Sequence, residues 1–139
     1  MDHTTTIDHH SALIYTMIVV AASDRDLRDA ELRRIGDIVR GLPAFADFDE
    51  NELPTVARQC AAMLADRDGL DTMLTVIDQA LPARLKETAF ALACEIAVID
   101  HRLGREELRI LELLREGLGL DRLVAAAIER GCRARHATA

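Results

Sequence analysis

Three observations in this 139-residue chain predict an all-α fold. Apolar residues recur at three- and four-residue intervals through most of its length, the spacing of one helix face. No stretch shows the strict apolar-polar alternation, rich in β-branched residues, of a half-buried strand. Capping residues, glycines and prolines interrupt the apolar runs at helical lengths. The expected architecture is one compact bundle of about seven helices joined by short loops.

Composition narrows the classes further. Half of the residues are hydrophobic, so a chain of this length buries roughly two thirds of its unfolded surface as one domain. Aromatic residues make up 3% and Trp is absent, which leaves Leu, Ile, Val, Ala and Met to fill the core. A formal charge of -7 repels a phosphate backbone, so no nucleic-acid partner is expected. Cys60, Cys94 and Cys132 are odd in number and lack metal-ligand spacing, which reads as reduced thiols in a cytoplasmic protein. Cys60 and Cys94 read as core residues, and Cys132 as the more exposed thiol. The polar N-terminus lacks a basic leader, and the apolar run Ala12 to Ala22 is too short for membrane insertion.

Residues 1 to about 9, a polar lead-in containing His3, His9 and His10, read as flexible. Residues 10–131 form the helical domain, and residues 132–139 a flexible tail. The first helix is expected over Ser11 to Ser23, with Leu13, Met17 and Val20 inward, and the second over Asp29 to Arg40, with Leu32, Ile35 and Val39 inward. Gly41 is expected to supply a left-handed cap before Pro43. Asp49 can cap a third helix, Phe48 can pack on Leu53, and Pro54 predicts a bend or a separate first turn before Val56, Cys60, Met63 and Leu64 make the buried face.

Asp66 to Gly69 turns the chain into a fourth helix with Leu70, Met73, Leu74 and Ile77 inward. The fifth, Ala83 to Ile99, is apolar nearly all round and reads as the central helix. A sixth over Arg105 to Glu116 is expected to bury Leu108, Leu111, Leu114 and Leu118, ending at Gly117 to Gly119. Asp121 caps a seventh carrying Leu123, Val124, Ala127 and Ile128.

An internal duplication stands out in this series. An apolar helical run ends at Asp24, Leu27 follows, and Glu31-Leu32-Arg33 opens the next run; Asp100, Leu103 and Glu107-Leu108-Arg109 repeat the pattern. Two helix-corner-helix halves of one design should pack about a pseudo-two-fold axis, with the acidic corners near each other.

The repeated pattern, Asp at a helix end, an aliphatic residue three positions on and Glu at seven, resembles the tellurite-resistance TerB-like family over roughly residues 10 to 130. The resemblance implies a seven-helix bundle with pseudo-symmetric halves, a link to chemical stress, and a domain also used in membrane-associated co-chaperones. It implies a divalent-metal site at Asp24, Glu31, Asp100 and Glu107. Where the family's corner carries Gly, this chain has Arg25 and His101, and Arg28 and Gly104 occupy its N-cap positions.

The residues themselves allow two readings of the corners. Carboxylates and free helix-end carbonyls suit a hard cation of the Ca²⁺ or Mg²⁺ class. An EF-hand is excluded, because the positions that need Gly and a bidentate acid hold Asp29 and Ile35 in one copy and Arg105 and Leu111 in the other. Alternatively Glu31 and Glu107 are N-terminal caps, and Asp24 and Asp100 shape turns. Glu95, on the apolar fifth helix, needs an ion pair or hydrogen bond from a neighbouring helix.

No phosphate loop, zinc-protease motif, di-iron pair or nucleophile elbow is present, so no enzyme is expected. The functional expectation is a non-enzymatic stress-response module that binds a divalent cation. Its alternative is a protein-interaction domain with structural corners and an unidentified protein partner.

Overall fold

Asp8, in extended backbone, starts the first helix by accepting the Ser11 N–H at 2.7 Å. The structure, a computed structural model, describes residues 7–22, 27–99 and 105–139. Within them lie seven α-helices and no strand: α1 (His9–Ala21), α2 (Asp29–Gly41), α3 (Leu53–Leu64), α4 (Gly69–Ala80), α5 (Ala83–Ile99), α6 (Arg105–Gly117) and α7 (Arg122–Arg135).

Helix α1 is the centre of the bundle. Eleven of its thirteen residues are buried, and a helix without a polar face is stable only when neighbours surround it. It packs most extensively on α5, then on α4 and α3, and touches α2 and α6. The buried hydroxyl of Thr16 donates back to the Ala12 carbonyl at 2.8 Å and is satisfied within the helix. Tyr15 is also buried, and burial, with Cys60 and Asp8 nearby, pushes its phenol above the usual range.

Helix α5, expected to be central, shares that place with α1, since it packs on α1, α7 and α6. Helix α5 keeps Arg84 and Glu87 exposed and anchors Lys86 to Asp78 of α4 at 2.6 Å, so its first turns are peripheral. Helix α1 begins two residues earlier than the expected Ser11. His9 and His10 belong to α1, and buried His10 hydrogen-bonds Asp47 at 3.0 Å and packs beside the rings of Phe45 and Phe48.

Local chemistry sets most helix ends. Helix α2 stops because Leu42, preceding Pro43, adopts extended backbone, while Gly41 remains helical and supplies no left-handed cap. A 3₁₀ turn, Glu50–Glu52, capped by Asp49, stands before α3 as a separate turn, and Pro54 falls in the first turn of α3, where its missing N–H costs nothing. Gly119, at φ +64°, closes α6 in a Schellman motif: Leu120 N–H bonds the Arg115 carbonyl at 3.1 Å and Gly119 N–H that of Glu116 at 3.1 Å. Asp121 caps α7 by accepting the N–H groups of Leu123 and Val124.

Two expectations about α7 change. Its buried residues are Ala125 and Cys132, with Ile128 partly covered, while Leu123 is 80% exposed. The helix runs to Arg135, beyond the expected boundary at residue 131, because Cys132 continues the inward face.

Gly69 permits the tight α3–α4 turn. A Cβ built there would lie 2.4 Å from the Met63 carbonyl oxygen and 2.8 Å from that of Leu64, and backbone cannot yield as a side chain can. Gly69→Ala is therefore expected to destabilise the fold by at least about 1 kcal/mol, read as a lower urea midpoint at unchanged slope.

Candidate functional site

Glu31 and Glu107 are the buried carboxylates among the described residues, at 7% and 3% exposure. Each is the third residue of its helix, α2 and α6, and both helices pack on α1. Each also heads an inward stripe: Glu31 precedes Ile35 by one turn, and Glu107 is followed on its face by Leu111, Leu114 and Leu118. The expected inward residues next to them turn outward, since one step along a helix rotates the side chain by about 100°. Leu32 is only partly buried, and Leu108, expected in the core, is 54% exposed.

The two glutamates differ in their partners. Glu31 Oε2 accepts the Arg28 N–H at 2.8 Å. Only this half of a capping box forms, because the Arg28 guanidinium has no acceptor to return. Glu107 has no hydrogen-bond or ion-pair partner among the described residues. Asp24, Arg25, Asp100, His101 and Gly104 lie outside those residues.

A cap at a helix N-terminus contributes about 0.3–1 kcal/mol and works in water. Withdrawing a carboxylate from water costs more than that unless a cation or several donors compensate it. Glu31 and Glu107 thus combine the capping position with the burial of a coordinating oxygen ligand. Their oxygens are the donors a hard divalent cation takes.

A second cluster forms where α7 ends against α5. Glu95, for which an interhelical partner was expected, receives three: His136 Nε2 lies 2.7 Å from Oε1, Arg135 Nη1 donates to Oε2 at 3.2 Å, and the Cys132 thiol reaches Oε2 at 3.7 Å. Cys132 is buried, not exposed as expected, and burial first, then the Glu95 carboxylate, pushes its thiol up. Cys60 and Cys94 are core thiols, each pushed up to about 12 by burial. Sequence reasoning assigned Cys132 and His136 to a loose tail. The signal that would have included them is the helical spacing Ala125, Ile128, Cys132, His136 on one face. Glu95 also borders an open cleft of about 390 Å³ between α2 and α5, walled by Ile38, Leu42, Thr88 and Arg135.

The contrast between the two buried glutamates is testable in chelator-treated protein. Glu107→Leu should stabilise the fold by about 1–3 kcal/mol, because it removes a desolvated carboxylate without breaking a bond. Glu31→Leu should destabilise it by about 1 kcal/mol through loss of the Arg28 N–H bond. Urea unfolding measures both.

Comparison with known proteins places the chain in a family. The family model described as tellurite resistance protein TerB matches residues 10–130. No curated protein and no solved structure matches the chain. The match spans all seven helices nearly end to end and includes both inward-facing glutamates, and the chain accordingly belongs to the TerB family of tellurite-resistance proteins.

Proposed function

We propose that this TerB-family chain is a non-enzymatic, cytoplasmic stress-response module that holds a hard divalent cation at its paired acidic corners. Asp24 and Glu31 from one corner and Asp100 and Glu107 from the other are the ligands in this reading. The observation that carries it is that the two matching glutamates are the buried carboxylates among the described residues, each in core register at the start of its helix. A structural cap gains nothing from being dry, whereas a coordinating oxygen does. Free cysteines agree with a reducing compartment. Among the described residues no helix is long and apolar enough to cross a membrane.

A second reading has its own support. Leu108 is exposed over a small apolar pocket of about 100 Å³ bordered by Ala97, Val98 and Leu111. Such a leucine suits a contact with another protein, as in a co-chaperone-like interaction domain with structural corners.

Thermal unfolding of chelator-treated protein, repeated with calcium, magnesium and manganese, separates the two. A cation at a hundred times its dissociation constant should stabilise the fold by about 2.7 kcal/mol, a rise of several degrees. Asp24→Asn with Asp100→Asn, or Glu107→Leu alone, should remove the rise. An unchanged transition with every cation would reject the cation site and leave the interaction reading.

A further inference from the structure

We propose that Glu95, Cys132 and His136 form a second metal site, for a borderline-soft divalent ion of the zinc class, distinct from the acidic corners. One ligand atom from each residue lies within 4.8 Å of the other two. Cys132 Sγ is 3.7 Å from Glu95 Oε2, and His136 Nε2 is 2.7 Å from Glu95 Oε1. A tetrahedral ion with bonds of about 2.0–2.3 Å holds its ligand atoms roughly 3.3–3.8 Å apart, so the thiol is already in place and the imidazole withdraws by about 1 Å or less.

The ligand types select the ion. A thiolate and an imidazole favour zinc over calcium or magnesium, whose preferred partners are all oxygen. Cys132 and His136 are four positions apart at the end of α7, the spacing that sets two ligands side by side on a helix, and Glu95 completes the set from α5. The site is sheltered by the burial of Cys132. Arg135, which now pairs with Glu95, has a side chain 72% exposed and can swing into solvent when the ion supplies the positive charge. Water takes the fourth position.

Binding involves no change of oxidation state. The thiol proton of Cys132 passes to water and the sulfur–metal bond forms in its place; His136 gives up the Nε2 proton it now directs at Glu95 and carries its proton on Nδ1 instead, so that the Nε2 lone pair and a Glu95 oxygen complete the protein ligands. The same three residues are poorly arranged for nucleophilic catalysis. The carboxylate bonds both partners and stands between them, whereas an activated cysteine needs the imidazole directly on its sulfur. A bound ion would instead cross-link the end of α7 to α5.

Cobalt(II) titration of the full-length, reduced, metal-free protein tests the site. The expected result is a thiolate-to-cobalt charge-transfer band that saturates at one equivalent, is displaced by zinc, and resists excess magnesium or calcium. Cys132→Ser should abolish the band, and His136→Gln, a change at a partly exposed position, should weaken cobalt binding at least tenfold while leaving the helical circular dichroism intact. Asp24→Asn with Asp100→Asn should leave it unchanged. Absence of the band, its survival in Cys132→Ser, full-strength binding in His136→Gln, or its loss in the corner variant would each overturn the proposal.

Discussion

Removing α1 from water on every side is the constraint from which the rest of the bundle follows. A helix running Leu13-Ile-Tyr-Thr-Met-Ile-Val-Val20 offers no face to solvent, so α3, α4 and α5 must cover it, with α2 and α6 closing what remains. The first turns of α2 and α6 are drawn against that core. Glu31 and Glu107 are buried for this reason: they are fixed at the third position of helices whose starts have nowhere else to go. In most helices a carboxylate at this position is a wet cap; here the packing of one hydrophobic helix makes it a dry one.

Helix ends were legible where the decisive group is local. Asp121, Asp49, Pro54 and Gly119 act on backbone atoms within a few residues, and the structure has caps, a separate turn and a Schellman motif where their chemistry demands them. The facing of helices was less legible. Ranking side chains by hydrophobicity turns Leu108 inward and Glu107 outward, yet in the bundle Glu107 is buried and Leu108 exposed. The same reversal, in milder form, separates Leu32 from Glu31. Pattern alone cannot register the facing of a helix, which is a property of the neighbours. The end of α7 was illegible for a related reason, since its docking depends on a carboxylate some forty residues earlier.

The two candidate sites illustrate opposite solutions to buried charge. Glu95 has recruited an imidazole, a guanidinium and a thiol from a single helix end, so its environment is rich in donors and in nitrogen and sulfur. Glu107 lacks such partners among the described residues and presents oxygen alone. The two proposed sites differ in the same way, oxygen donors suiting a hard ion at the corners and mixed nitrogen, sulfur and oxygen donors suiting a softer one at the α5–α7 junction. The acidic surface, at a net charge of -7, raises the local concentration of cations around both without choosing between them.

Tyr15 has a practical consequence for following this molecule in solution. It is the chain's one tyrosine, and with no tryptophan present it is the source of essentially all its near-ultraviolet fluorescence. The ring is held within α1, the helix that packs on α2, α3, α4, α5 and α6. Its emission is therefore a label supplied by the natural sequence, in the core and with no dye attached. A change in how α1 is gripped by its neighbours will register there, whichever corner or cluster started it.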